Sequence, residues 1–223
     1  MPQKINYETQ NSECTLNKID ELVFHYGSTS HFPKGYIIFS QGNPVRKFYW
    51  LRQGLVKLHK FEGTQGNSIL KINGDQSFPG LPDAWSGDQH HFSATTLTQV
   101  EITEIDTQVF RSLLQEQPDV AQKIISLLAG EALYYYERLN TRHHKQLPGR
   151  VADTLLFFYD FFGQEPLFAF PLSRTELAQF TGTTRESLIR TLAEFKNDKI
   201  INLNDRQVEI ISLEIICTLS RLG

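Results

Sequence analysis

The chain has 223 residues and a net charge of −3, which fits one large or two modest globular domains. Its two cysteines, Cys14 and Cys217, are too few for a disulfide-rich secreted scaffold and favour a reducing compartment. No apolar run reaches the roughly 18 residues that a membrane span needs. Because the start MPQKINYETQ also lacks the apolar segment of a signal peptide, we expect a cytoplasmic protein without a membrane partner.

Residues 31–106 combine glycine turns with short stretches in which apolar side chains alternate. The candidate strands are residues 36–39, 48–51, 55–58, 68–72 and 100–105. Short strands at this spacing predict an all-β barrel or roll.

A long helix is predicted next, opened by Pro118 and ended by Pro148 and Gly149. Its apolar residues step alternately by four and three positions, which is the spacing of a coiled-coil seam. The predicted dimer seam consists of Ala121, Ile125, Leu128, Ala132, Tyr135 and Leu139. Polar and charged flanks favour a twofold homodimer, and packing against the β-roll is the alternative.

Two short helices joined by a tight turn are predicted after residue 172. Ser173 and Glu176 have the spacing of a capping box, so the first helix should begin directly after Ser173. Gly182 supplies the positive φ that a tight turn needs. Either Thr183 or Thr184 can then cap the second helix.

The second helix has one apolar stripe and a charged face. Its stripe consists of Leu188, Leu192 and Phe195. The charged residues off the stripe are Arg185, Glu186 and Arg190. Arginine can bond guanine and glutamate can accept from cytosine, as suits a helix-turn-helix that enters the major groove. Solvated surface charges are the alternative, and Glu186 could instead complete a capping box with Thr183.

A strand, a turn at Asn204–Asp205 and a second strand follow this helix, as a wing would. Residues 173–201, SRTELAQFTGTTRESLIRTLAEFKNDKII, resemble the winged helix of the cAMP receptor protein/Fnr family of bacterial transcription regulators. Residues 147–156 resemble that family's entry into the DNA-binding domain. FPKGYIIFSQG at 32–42 and FYWLRQGLVKL at 48–58 resemble its cyclic-nucleotide-binding β-roll.

The resemblance implies an α+β fold in three parts. Residues 1–117 would form a cyclic-nucleotide-binding-like β-roll (a double-stranded β-helix) that senses an effector. Residues 118–147 would form the dimerisation helix, and residues 148–223 a winged helix-turn-helix. The recognition-helix spacing of the dimer would depend on a hinge after Leu139, which an effector bound between roll and helix would bias.

The resemblance also implies a DNA site. Arg185 and Arg190 would contact guanines and Glu186 a cytosine in a palindromic, TGTGA-like operator of double-stranded DNA. The other expected DNA contacts are Ser173, Thr183 and Thr184. RNA polymerase is the expected protein partner, and both activation and repression stay open. Residues 148–223 hold 8 Lys and Arg against 10 Asp and Glu, which predicts weak non-specific DNA binding.

The resemblance assigns effector binding to two short stretches, residues 80–81 and 92–94, which we call the effector cassette. These residues depart from the family pattern. Leu81 stands where the resemblance places a glutamate for the ribose, and Phe92 where it places an arginine for the cyclic phosphate. The residues that remain are Gly80, Ser93 and Ala94. Tyr135 and Tyr136 occupy the positions where the resemblance places small hydroxyl residues against the nucleotide base, and packing of Tyr135 in the dimer seam is the alternative. We therefore expect no cAMP response, and either a different effector or none.

Two alternatives remain for the roll. His90 and His91 are expected as loop histidines at a turn, but imidazole also binds haem iron, so a haem-based gas or redox sensor of the same family stays open. An iron–sulfur cluster would need about four thiolates, which two cysteines cannot supply. A β-roll metal enzyme is a more remote alternative. Such an enzyme would need histidines that bind one metal ion together, and adjacent histidines on a strand point to opposite faces. We expect no enzyme activity, no bound metal and no cofactor.

Overall fold

The computed structural model describes residues 11–61, 63 and 67–223, and for residues 11–15 it describes the backbone alone. The side chain of Cys14 and the first ten residues, MPQKINYETQ, therefore lie outside the described residues. The chain forms two units. Unit 1 comprises the described residues up to Phe61 together with Leu70–Tyr134, and unit 2 the described residues of 62–69 together with Tyr135–Gly223. No helix among the described residues is both long and apolar enough to cross a bilayer.

Two antiparallel sheets build the N-terminal roll. The elements are α1 (Asn11–Tyr26), β1 (Ser28–Phe32), β2 (Ile37–Phe39), β3 (Lys47–Gln53), β4 (Val56–Phe61), β5 (Asn67–Asn73), α2 (Leu81–Ser86), β6 (Ser93–Thr96), β7 (Val100–Asp106), α3 (Thr107–Glu116) and α4 (Pro118–His144). The strand orders are β1-β7-β3 and β2-β6-β4-β5. All five predicted strands are confirmed. The polar sequence of β1, STSHF, explains why its strand was not predicted.

Side-chain alternation along β3 separates two hydrophobic cores in unit 1. Phe48 and Trp50 lie in one core with α1, α2, α3 and the start of α4. Leu51, on the opposite face of the strand, lies in the second core, between the sheets. This period of two is the pattern from which the strand was predicted.

The long helix α4 ends earlier than predicted. It begins at Pro118 as expected and runs without interruption through Leu139 to His144. Pro148 does not end it, because proline is well suited to the first turn of a helix, and here it opens α5 (Leu147–Phe161). The break between the two helices lies around Lys145 and Gln146, and the hinge after Leu139 stays a prediction.

The C-terminal region has the predicted winged helix-turn-helix fold. After α5 come β8 (Leu167–Ala169), α6 (Arg174–Thr181), α7 (Arg185–Asn197), β9 (Ile201–Asn204), β10 (Gln207–Ile210) and α8 (Leu213–Leu222). The predicted hairpin is β9 and β10, and the short β8 adds a third strand that the sequence did not reveal. Phe158 of α5 is fully buried among other phenylalanine rings, which are Phe157, Phe162, Phe168, Phe170 and Phe180.

One ion pair fastens the roll to α4 inside unit 1. Nζ of Lys71, on β5, lies 2.6 Å from Oε1 of Glu131, and both side chains are mostly buried. The same ammonium lies 5.8 Å from the ring centroid of Tyr134, one turn further along α4. If one partner of this buried pair is removed, the other charge stays in the low-dielectric interior without a counter-ion, which destabilises the folded state.

Removing the ammonium should destabilise unit 1. We expect Lys71→Met to lower its free energy of unfolding by about 3 kcal/mol, because the Glu131 carboxylate stays buried without its cation. Urea unfolding followed by tryptophan fluorescence measures this unit, since both tryptophans of the chain, Trp50 and Trp85, belong to it.

The matched control is Lys47→Met, which removes the ammonium from the more exposed pair with Glu104. Exposed pairs contribute about 0–1 kcal/mol, so this variant should unfold nearly as the parent does. Lys71→Met combined with Glu131→Leu should recover most of the lost stability. Equal effects of the two lysine variants would contradict the role given to the buried pair.

Candidate nucleic-acid interface

The turn between α6 and α7 is built from the predicted caps. Ser173 caps α6 in a capping box, in which its backbone N–H donates to Oε2 of Glu176 over 2.8 Å. Gly182 ends α6 with φ 75°, a left-handed conformation that favours glycine. Thr184, rather than Thr183, caps α7 by accepting from the backbone N–H of Ser187 at 3.2 Å. Glu186 is thus not needed for a cap.

The predicted base-contacting residues lie together on one exposed face of α7. The helix buries Leu188, Thr191, Leu192 and Phe195. Arg185, Glu186 and Arg190 are exposed, and no hydrogen bond or ion pair within the described part of the chain engages their side chains. Their charged groups therefore need not break an internal contact in order to bind a ligand.

Sequence reasoning missed five residues beside this face, and three of them have side chains that can donate hydrogen bonds. An open pocket of about 240 Å³ lies between the start of α6, the start of α7 and the tip of the β9–β10 hairpin. Its lining residues are Leu172, Ser173, Arg174, Thr175, Arg185, Asp205 and Arg206. Arg174, Thr175 and Arg206 join the predicted site here. The sequence placed Arg174 and Thr175 at the start of a helix and Arg206 directly after the predicted turn, but gave no sign that the fold brings them together.

Arg174 ties the wing to the helix-turn-helix. One guanidinium nitrogen, Nη2, donates to the backbone oxygen of Asp205. The guanidinium also lies 5.9 Å from the ring centroid of Phe170. Burial lowers the pKa of Arg174, the Asp205 carboxylate opposes this, and the positive charge of Arg206 lowers the pKa further. Two arginines held close together form a site that an anion would stabilise.

Arg138 connects α4 to α6 within unit 2. Its guanidinium lies 4.3 Å from the ring centroid of Phe180, and Nη2 donates to the Phe180 backbone oxygen over 2.7 Å. A second α4 arginine, Arg142, is a close neighbour of Gly182, where an added Cβ would lie 3.2 Å from its Nε. The end of α4 is therefore in direct contact with the turn that presents α7.

Apolar side chains fill the cassette in unit 1. Gly80 has φ 83°, and a Cβ there would lie 2.7 Å from Cζ of Phe39. Leu81 is buried in the helical core, whereas Phe92 and Ala94 are buried between the sheets. Oγ of Ser93 accepts a hydrogen bond from the backbone N–H of Gln41 over 2.9 Å. The five predicted cassette residues thus contribute to packing and loop geometry.

The two predicted loop histidines differ in environment. His90 is buried and its ring stacks on Phe39 with 3.8 Å between centroids, whereas His91 is exposed. Both face Asp83, whose Oδ1 lies 2.8 Å from Nδ1 of His91 and whose Oδ2 lies 3.5 Å from Nδ1 of His90. Burial tends to raise the pKa of Asp83, but hydrogen bonding from His90 and His91 outweighs it, so this pKa is lowered. Asp83 is thus kept ionised and fastens α2 to the loop before β6.

The predicted seam and tyrosines of α4 divide between exposed and half-buried positions. Ile125 and Leu139 are 66% and 58% exposed, and Ala132 is exposed as well. Leu128 instead packs against the helical core of unit 1. Tyr135 is half-buried, whereas Tyr136 is 74% exposed.

Comparison with protein-family models matches residues 29–117 to the cyclic nucleotide-binding domain and residues 149–217 to the Crp-like helix-turn-helix domain. The chain is 27% identical over 194 residues to the CRP-like cAMP-activated global transcriptional regulator of Mycobacterium tuberculosis, covering 85% of this chain and 87% of that protein. It is 24% identical over 207 residues to the fumarate and nitrate reduction regulatory protein of Vibrio cholerae, covering 90% and 80%.

The solved structure of FixK2 from Bradyrhizobium japonicum has the same fold, with a TM-score of 0.80 at 20% identity over 88% of this chain and 98% of that one. The names of these relatives describe a transcriptional regulator and a regulatory protein, and not enzymes. Both matched regions coincide with the observed roll and winged helix-turn-helix. The chain therefore belongs to the Crp/Fnr family of DNA-binding transcription regulators.

Proposed function

We propose that the chain is a homodimeric, sequence-specific regulator that binds a palindromic operator with TGTGA-like half-sites. The observation that supports this most directly is the exposed, unengaged set of Arg185, Glu186 and Arg190 on α7. Two arginines can each bond guanine O6 and N7, and the glutamate can accept from cytosine N4. RNA polymerase is the protein partner that such a regulator would contact, in the cytoplasm.

We assign binding of the DNA phosphate backbone to the pocket beside α7. Arg174, Thr175 and Arg206 surround it with two positive charges and a hydroxyl, which suits a DNA phosphate. The backbone N–H groups at the start of α6 would add to this attraction. Thr184 would contact a phosphate beside the base edges, and Ser173 serves chiefly as the cap of α6. This arrangement concentrates positive charge locally although the C-terminal region is acidic as a whole.

Dimerisation is assigned to α4. An exposed stripe of the helix consists of Ile125, Ala129, Ala132, Tyr136 and Leu139. These positions step by four and three residues, as a two-helix seam requires. Compared with the sequence-based seam, Ala129 and Tyr136 replace Leu128 and Tyr135, which are partly covered within the chain. A twofold pair would place two copies of α7 about one DNA turn apart.

For the effector, we propose that the protein is a regulator that does not respond to cAMP. A cyclic phosphate needs a cationic partner and a ribose hydroxyl needs an acceptor. Leu81 and Phe92 offer neither, and Phe39 occupies the space beside Gly80. The Lys71–Glu131 pair and Tyr134 already join the roll to α4, which is the connection that an effector would otherwise strengthen.

Base and phosphate contacts should respond differently to substitution. On the preferred operator, Arg185→Ala should cost about 1–3 kcal/mol of binding free energy and relax the preference at one base pair. Arg174→Gln should weaken binding to all duplexes by a similar factor and reduce the salt slope by about 1. Fluorescence anisotropy on an operator selected from random duplexes, across a salt series, measures both effects.

Lys199→Gln serves as the control, because it removes an exposed cation that does not line the pocket. It should leave both affinity and base preference nearly unchanged. A uniform loss for Arg185→Ala on selected and random DNA would show that Arg185 contacts only phosphates. A lack of preference for any duplex would refute the proposed function itself.

A charge in the α4 stripe should dissociate the dimer. Leu139→Glu would place two carboxylates at the twofold seam, where burying an unpaired charge costs several kcal/mol. We expect sedimentation equilibrium to show the mass of one chain for this variant and of two chains for the parent. Leu167→Glu alters an exposed leucine of β8 and should remain dimeric. Two chains for Leu139→Glu would contradict the assigned seam.

Millimolar cAMP should change neither operator affinity nor the melting of unit 1. A ligand present at about a hundred times its Kd would stabilise the folded state by about 2.7 kcal/mol, which thermal unfolding followed by tryptophan fluorescence would detect. An increase in operator affinity with cAMP would contradict the assignment.

A further inference from the structure

The exposed face of α7 contains one large apolar side chain that the proposed contacts do not use. Ile189 is 42% exposed, and it directly precedes Arg190. A single exposed isoleucine is ordinary on a protein surface, so its position has to decide its role. At 3.6 residues per turn, Ile189 lies about 40° around the helix from Arg185 and about 60° from Glu186. It therefore lies between two of the proposed base-contacting residues.

The direction of helical side chains strengthens this placement. A helical side chain leans toward the N-terminus of its helix, so Ile189 covers the surface beside the first turn of α7. That turn is the part which a helix-turn-helix inserts into the major groove. The core side of α7 is already occupied by Leu188, Leu192 and Phe195. Ile189 thus belongs to the groove face and not to the core.

The chemistry of the groove offers one apolar group to such a side chain. Thymine displays its 5-methyl in the major groove, whereas cytosine displays hydrogen at that position together with an amino donor. Isoleucine is stiff at χ1 in a helix, so little side-chain entropy is lost when it makes a contact. It cannot pair with the hydrogen-bonding edges that Arg185, Glu186 and Arg190 would bind.

We propose that Ile189 is a specificity-determining residue that contacts the 5-methyl group of one thymine in each operator half-site. The inference rests on the proposed function, because it requires α7 to lie in the major groove. It adds a base pair, next to those of Arg185 and Glu186, at which thymine is selected by a methyl contact and not by a hydrogen bond.

Replacing thymine by deoxyuridine tests this contact, because it deletes the methyl group and keeps the base pair. The operator is first selected from random duplexes, and each thymine is then replaced in turn. One position per half-site should lose affinity by about threefold to fourfold, the effect of one apolar carbon. Replacement in both half-sites should cost about tenfold.

The variant Ile189→Ala should bind the thymine and deoxyuridine operators equally at that position, while its preference at the neighbouring guanines persists. Ile211→Ala is the matched control, because it truncates an exposed isoleucine outside α7. It should keep the parent's sensitivity to deoxyuridine. Since the parent protein alone reveals the methyl effect, the test does not depend on how well a variant folds.

The outcomes separate the inference from the function on which it rests. Specific binding with no effect of deoxyuridine at any position would overturn the role of Ile189. An equal deoxyuridine effect in the parent and in Ile189→Ala would overturn it as well, because another residue would then contact the methyl group. The absence of any preferred duplex would instead refute the proposed DNA recognition.

Discussion

The contact between Arg138 and Phe180 is the interaction on which the position of the helix-turn-helix against the end of α4 depends. Its hydrogen bond to the Phe180 backbone and its cation–π contact fix the end of α4 to the end of α6. Because Gly182 and Thr184 then lead directly into α7, the orientation of α7 follows from that of the last turns of α4, which belong to the same unit. In the proposed dimer, these contacts would hold each α7 against the end of its own α4.

The roll has buried apolar side chains, Leu81 and Phe92, where the family resemblance places the charged groups of a nucleotide site. Phe39, Phe92 and the stacked His90 fill the region around Gly80 with aromatic rings. The buried pair of Lys71 and Glu131 then extends this packed region to α4.

Local sequence signals predicted most of the fold because they depend on near neighbours. The capping box at Ser173, the glycine at the end of α6 and the alternation in β3 were all confirmed. Long-range packing was less accessible. Pro148 can end one helix or open the next, and the Ser-Thr-rich β1 forms only by pairing with β7. The pocket beside α7 was missed for this reason, since the chain fold brings Arg206 of the hairpin to Arg174.

The acidic balance of the C-terminal region has a consequence for how the protein finds its target. With 8 basic against 10 acidic residues in 148–223, we expect a small attraction to bulk chromosomal DNA, whereas Arg174, Arg185 and Arg206 lie together beside α7. Sliding along non-target DNA relies on continuous phosphate attraction, so it should be brief. Few molecules would be sequestered there, and promoter occupancy would follow the cellular concentration of the protein closely, as in a dosage-controlled circuit.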